Sequence, residues 1–361
     1  MPPKPQIINE TIFTGDNLDI MRGIDSQTID LIYLDPPFNS KRQYKAPIGS
    51  QAAGAEFKDA WTFEDTKAAW WGLLADEYPA LYKVIDAAGE VGNEGDKSYL
   101  IYMAMRLLEM HRILKETGSI YLHCDPTMSH SLKMVMDAIF GEKNFLNEII
   151  WSYRTGGVSK RWFGRKHDTI LLYAKKFGKH TFNLEKEKSY NRDNKPYKFS
   201  NVKEYQDAEG KWYTMASLRD VWEINAIGRS SKERVGYPTQ KPRALLERII
   251  KVSSNDGDMV LDPFCGCATA CIAATDLSRQ WVGIDISPLA ATLIATRMKN
   301  ELRLFGDITH RTDIPMRTEQ IKKPSKNINH ILFGQQEGKC RGCGYSFPFQ
   351  NFTRDHKIPL S

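Results

Sequence analysis

The chain has 361 residues, enough for about two domains of roughly 100–200 residues each, and its 41% hydrophobic and 26% charged content excludes wholesale disorder. Lys and Arg number 50 against 44 Asp and Glu, a net charge of +6, and the longest stretch free of these four residues, 263–275, covers only 13 positions, too few to span a bilayer. No apolar run follows Met1-Pro2-Pro3-Lys4-Pro5 as in a secretory leader, and six cysteines in a chain this long make no disulfide framework, so the expected compartment is the reducing cytoplasm, with no membrane association.

Residues 11–14 read as a short strand ending in Gly15-Asp16-Asn17, and 18–23 as a helix. Residues 29–34 (IDLIYL) form a nearly continuous apolar run, the pattern of a strand buried on both faces in a parallel sheet. Residues 41–95 are uneven in composition and read as a long loop with a helix near 66–74. Residues 99–114 carry Leu100, Met103, Leu107 and Leu108 at helical spacing, and Glu116-Thr117-Gly118 is expected to end that helix before a strand at 119–123. A helix at 131–140 and a strand at 168–174 follow. From Lys175 to about Gly236 the alternation is lost, which predicts an inserted domain or an extended loop system. It resumes with a helix at 243–253, a strand at 259–261, a helix at 269–276, a strand at 281–284 and a helix from 288 to about 304. Repeated strand–helix units imply an α/β fold with a doubly wound parallel sheet.

The charge is unevenly spread. Residues 151–241 hold 20 Lys and Arg against 10 Asp and Glu, together with 15 of the 39 Phe, Trp and Tyr residues. Two readings fit that composition: a nucleic-acid surface, or a solvated basic face over an ordinary aromatic core.

Two motifs carry chemistry. In the first, the strand at 259–261 runs into Asp262-Pro263-Phe264-Cys265-Gly266-Cys267-Ala268 and then a helix, and the next strand ends in Asp285. A tight turn at a strand's carboxyl end lets backbone approach a ligand, and an acid ending the next strand can accept ribose hydroxyls, so this is the pattern of a nucleoside pocket. A strand–turn–helix without function is the alternative. The missing G-x-G-x-x-G speaks against a dinucleotide-dependent oxidoreductase. The cysteines read as small residues in a crowded turn, and no metal is expected, because C-x-C-x-x-x-C brings no His and no fourth partner. In the second motif, Asp35-Pro36-Pro37-Phe38 follows the IDLIYL strand. Two prolines stiffen the backbone so that the Asp35 carboxylate and the Pro36 carbonyl can face the same way, with Phe38 beside them as a flat plate. Two acceptors and an aromatic face suit a planar amine; a rigid turn without function is again the alternative.

Together with Tyr237-Pro238-Thr239-Gln240-Lys241-Pro242, these motifs resemble those of the S-adenosylmethionine-dependent DNA amino-methyltransferases. Their order, with the Asp35 motif first and the Gly266 loop last, is similar to that of the permuted beta class, and the resemblance covers about 7–305. It implies a Rossmann-like methyltransferase sheet with an inserted target-recognition region: 1–174 as the catalytic half, 175–236 as the target-recognition region, 237–305 as the cofactor-binding half and 306–332 as a linker. It implies catalysis by Asp35, Pro36, Pro37 and Phe38, the first two accepting from the amine of a flipped base that stacks on Phe38. Phe264, Gly266, Asp262 and Asp285 would surround the cofactor, Asp16 would accept from its adenine amine, and Thr239 and Lys241 would hold its methionine end. An Asp at the head of the catalytic motif goes with adenine N6 in that family, which makes double-stranded DNA the expected partner and adenine the expected base; cytosine N4 is the alternative. A homodimer is also compatible with the resemblance. Ala268 replaces the second Gly of the family loop, which is tolerable with φ below zero. His123 and His167 are expected to be structural. The tail, 333–361, with Cys340-Arg341-Gly342-Cys343 and Asp355-His356, resembles the front half of an HNH nuclease with a zinc knuckle. No second C-x-x-C follows, two thiolates make no tetrahedral zinc site, and no cleavage is expected. The methylase half of a bifunctional restriction–modification protein is the corresponding alternative.

Overall fold

In chain order the elements are β1 (Thr11–Thr14), α1 (Asn17–Arg22), β2 (Ile29–Leu34), β3 (Arg42–Lys45), β4 (Glu56–Asp59), α2 (Ala68–Glu77), α3 (Pro79–Val91), α4 (Glu94–Ile113), β5 (Leu114–Cys124), α5 (Ser129–Phe140), β6 (Phe145–Ser152), β7 (His167–Ala174), β8 (Lys186–Tyr190), β9 (Glu204–Gln206), β10 (Trp212–Ser217), β11 (Val221–Glu223), α6 (Arg243–Ser253), β12 (Met259–Asp262), α7 (Thr269–Asp276), β13 (Gln280–Asp285), α8 (Pro288–Leu302) and β14 (Thr309–Arg311). This computed structural model describes residues 6–39, 42–45, 50, 52, 56–59, 68–154, 160–198, 200–228, 230–302 and 308–319. The nuclease-like tail and most of the expected linker lie outside the described residues.

Nine strands form one sheet in the order β11-β6-β7-β5-β2-β12-β13-β1-β14. All neighbours pair in parallel except β7, which is antiparallel to both β5 and β6. The expected parallel sheet is thus observed with one strand reversed. A parallel neighbour needs a long crossover, usually a helix, whereas residues 153–166 join β6 to β7 with no helix among those described, so the chain simply turns back.

Side chains alternate across the sheet as strand geometry requires. Ile32 and Leu34 of β2, with Phe13, Ile120, Leu122, Leu261 and Ile284, pack under α1 and α2–α5. Leu31 and Tyr33, with Ile12, Tyr121, Val260 and Trp281, pack under α6–α8. Burial on both faces explains why β2 reads as an apolar run: all six residues are buried. Asp30 is tolerated inside it because its carboxylate accepts from Met259 N at 2.9 Å and Lys115 Nζ at 2.8 Å.

Two further expectations need correction. The supposed loop 41–95 contains α3, whose Leu81 and Ile85 fall four apart on one buried face; Pro79 opens the helix rather than breaking it. Glu116-Thr117-Gly118 does not end a helix. α4 stops at Ile113, and those residues lie inside β5 where its register against β2 shifts, from Ile29 opposite Leu114 to Leu31 opposite Ser119. In the basic central region, β8, β10 and β9 form a separate three-stranded antiparallel sheet, after which β11 rejoins the main sheet beside β6.

Candidate active site

Because β1, β2, β12 and β13 are mutually parallel, their carboxyl ends share one edge, and each delivers an acid there: Asp16, Asp35, Asp262 and Asp285. Ligands of open α/β sheets bind outside this edge. A cavity of about 510 Å³ lies there, and all eleven residues singled out in the sequence line it: Asp16, Asp35, Pro36, Pro37, Phe38, Thr239, Lys241, Asp262, Phe264, Gly266 and Asp285.

The loop after β12 is shaped for close approach. Gly266 has φ +49°, and a Cβ there would lie 2.9 Å from Tyr237 Cε1. Gly266 N donates to Asp285 Oδ2 at 2.9 Å and Ser287 N to Asp285 Oδ1 at 2.8 Å, so the acid ending β13 ties down the loop after β12. Burial raises the Asp285 carboxyl above its ordinary pKa despite these two bonds. Asp262 is pushed much further up, first by complete burial and then by the nearby Asp35 and Asp285 carboxylates; Oδ1 accepts from Phe264 N at 3.1 Å. Ala268 departs from expectation. Its φ is +56°, the left-handed region, where an alanine is strained by roughly 1–2 kcal/mol. The condition under which it replaces glycine freely is not met, although its methyl is fully buried against the α6–α8 side of the sheet.

Asp16 caps α1, its Oδ1 accepting from Leu18 N at 2.9 Å. The same oxygen accepts from Arg106 Nη2 at 2.8 Å. Arg106, almost wholly buried on α4, also donates through Nε to Asn17 Oδ1 at 2.7 Å, and Asn17 Nδ2 donates to Pro263 O at 2.7 Å. This chain of bonds couples the turn after β1 to the loop after β12. Neither Arg106 nor Asn17 was singled out from the sequence. The one available signal was an arginine inside the otherwise uncharged run from Leu100 to Leu108.

At the other end of the cavity, Lys241 Nζ donates to Asp35 Oδ2 and lies 3.3 Å from Thr239 O and 5.2 Å from the centre of the Phe38 ring. The expected ligand of a cofactor carboxylate thus sits on the expected catalytic carboxylate. The second oxygen, Asp35 Oδ1, is buried with no hydrogen-bond partner among the described residues. Phe38 stacks on His123, with ring centres 5.8 Å apart and planes at 26°. His123 is fully buried and held at both nitrogens, by Tyr33 Oη at 3.0 Å and Asp168 Oδ2 at 3.1 Å, and Tyr153 Oη donates to Asp168 Oδ1 at 3.0 Å. Burial opposes ionisation of Asp168, but its bonds to His123 and Tyr153, with Lys241 nearby, hold its pKa below the ordinary carboxylate value. His123 therefore backs the Phe38 plate, a part that sequence reading did not assign to it.

Residues 29–296 match the family model of the N6/N4 DNA methylases, and the chain belongs to this family. It is a DNA methyltransferase, and the methyl donor of such enzymes is S-adenosylmethionine. The chain is 28% identical over 329 residues to the Type II methyltransferase M.HpaI of Haemophilus parainfluenzae, covering 90% of this chain and 86% of that protein. It is 29% identical over 286 residues to the DNA adenine methyltransferase YhdJ of Escherichia coli (strain K12), covering 77% and 79%. Among solved structures, the cytosine-N4-specific PvuII DNA methyltransferase aligns at 15% identity with a TM-score of 0.46, covering 81% of this chain and 88% of that one. No helix among the described residues is long and apolar enough to cross a membrane.

Proposed function

We propose that the protein transfers a methyl group to the exocyclic N6 amine of adenine in duplex DNA, at a specific sequence, after the base is flipped into the cavity at the strand ends. The observation that carries this reading is Asp35 Oδ1, a buried acceptor in the wall of that cavity with no partner among the described residues, beside an aromatic plate. Such an atom costs free energy unless a ligand donor reaches it. An exocyclic amine supplies two donors: one N–H goes to Asp35 Oδ1, the other to the Pro36 carbonyl, and the ring stacks on Phe38. Holding both protons draws the nitrogen lone pair out of conjugation and aims it along one line.

S-adenosylmethionine supplies an electrophilic methyl on a sulfonium. The residues present fit it: Gly266 leaves room for a ligand, while Asp285, Asp16 and Phe264 offer acceptors and an apolar face on the same cavity. Asp285 is assigned to the ribose hydroxyls and Asp16 to the cofactor's adenine amine, with Asp262 and Phe264 around the cofactor and Thr239 toward its methionine end. The order of the motifs supports placement in the permuted beta class, and the basic region 175–236 is assigned to target recognition. Adenine is favoured by the Asp at the head of the Asp35 motif and by the relative named an adenine methyltransferase. Incubating the protein with tritiated S-adenosylmethionine and duplex DNA, then separating the nucleosides, tests the reading. Label in N6-methyladenine supports it, label in N4-methylcytosine moves the specificity, and unlabelled DNA overturns it.

A further inference from the structure

The segment joining β6 to β7 roots beside the cavity. β6 runs parallel to β2 and β7 antiparallel, so the chain leaves β6 at Tyr153 and returns to β7 from Lys166 at the same edge as Asp35. Tyr153, at the end of β6, reaches the Phe38 plate through Asp168 and His123. Arg165 Nη1 lies 3.5 Å from Thr127 Oγ1, which ties the returning arm to the turn after β5.

From Tyr153 to Lys166 the sequence holds five cations, Arg154, Lys160, Arg161, Arg165 and Lys166, and no Asp or Glu. Among them stand Trp162, 67% exposed, and Phe163, 97% exposed. Rings this exposed, three and two residues before Arg165, would each bury a large apolar area on contact. A run of cations with no acidic residue in its own sequence matches a phosphate backbone, and aromatic rings match base faces, on which they stack irrespective of sequence.

We propose that Trp162 and Phe163 form a wedge that enters the DNA base stack next to the target and occupies the place the flipped base leaves, with Lys160 and Arg165 on the flanking phosphates. This rests on the reading that a base is flipped into the cavity. The rings replace stacking that the duplex loses on flipping, so they stabilise the flipped state rather than the cofactor complex.

The test uses the full chain. Base-resolved sequencing of plasmid DNA treated with wild-type protein locates the methylated sequence, and a synthetic duplex of that sequence carries 2-aminopurine at the target. Wild-type protein is expected to raise its fluorescence on binding. The double variant Trp162→Ala/Phe163→Ala is expected to lose that rise and to bind the duplex about 10–100-fold more weakly. Its melting temperature and cofactor affinity are expected to match wild type, and transfer is expected to recover on a duplex with the target base mispaired, where flipping is easier. Phe163→Tyr, which keeps the ring, is expected to behave as wild type. A double variant that keeps the fluorescence rise and duplex affinity overturns this proposal alone. A double variant unchanged on DNA but altered in oligomeric state also overturns it and assigns the rings to a protein contact. Wild-type protein that methylates without any fluorescence rise overturns base flipping, and wild-type protein that methylates no DNA overturns the functional reading, each taking the wedge with it.

Discussion

Lys241 holds one oxygen of the Asp35 carboxylate, and the other oxygen is buried with no partner among the described residues. The two residues are 206 positions apart, one following β2 and the other preceding α6. A carboxylate gripped on one side can turn neither oxygen freely, so Oδ1 is fixed as the acceptor for a group entering the cavity. The ammonium is itself nearly buried and lies near the Phe38 ring, which places acceptor, cation and plate in one rigid cluster.

Asp35→Asn keeps the volume but puts an amide where the acceptor was. Methyl transfer to duplex DNA is expected to fall by about 10²–10⁴, with cofactor affinity by calorimetry changed less than about threefold, a binding difference well under 1 kcal/mol. Undiminished transfer by Asp35→Asn would falsify its role as amine acceptor.

Lys241→Met separates two roles. If the ammonium orients Asp35, kcat falls by about 10–100-fold while KM for the cofactor stays near wild type; if it holds the cofactor carboxylate, KM rises and kcat is spared. The contact seen here predicts the first pattern. Steady-state kinetics with S-adenosylmethionine varied at saturating DNA decides between them.

Gly266→Ala puts a methyl 2.9 Å from the Tyr237 ring at a residue with φ +49°. The backbone strain alone is about 1–2 kcal/mol, and relief requires the loop or Tyr237 to move at the cavity wall. Cofactor affinity is expected to drop about tenfold, the equivalent of 1.4 kcal/mol. Calorimetric titration with S-adenosylmethionine measures it; an unchanged constant would place the cofactor away from this loop.

His111 gives a pH dependence of stability. Burial, with the nearby Lys175 ammonium, lowers its pKa from 6.5 to about 4; its ring packs edge-on against Phe140, with centres 4.9 Å apart. The folded state favours the neutral imidazole, so the unfolded chain binds more protons between these values. The contribution is fully present above about pH 6.5 and is lost as pH falls toward about 4, amounting to about 2 kcal/mol by pH 5. Urea titrations of wild type and His111→Gln from pH 8 to 5 are expected to show a shallower decline for the variant. Parallel curves would mean that His111 is protonated in the folded protein as easily as in the unfolded one.

Much of the framework was legible in local pattern. β1, β2, α6 and α7 fall at the positions their periodicity and punctuation indicate, because an apolar run between turn residues or an apolar stripe behind Pro242 has few other outcomes. α3 was hidden by Pro79, Gly89 and several alanines, which read as loop composition. β6 is interrupted by Asn147 and Glu148, which break its apolar pattern, and the short β11 and β14 offered too few residues for a period to emerge. The reversal of β7 depends on how the preceding connection runs, which no residue of β7 itself encodes.

The motif residues and their chemical types were set by the chain alone: an acid at or just past the end of each of four strands, a Gly loop, two prolines and a phenylalanine. Their convergence on one cavity required the sheet, since β2, β12, β13 and β1 come from distant parts of the sequence and become neighbours only by lateral pairing. The partners were decided there too. Lys241 on Asp35, Arg106 on Asp16 and His123 behind Phe38 are contacts between side chains of separate elements, and such contacts follow from packing in three dimensions, which leaves no spacing in the sequence.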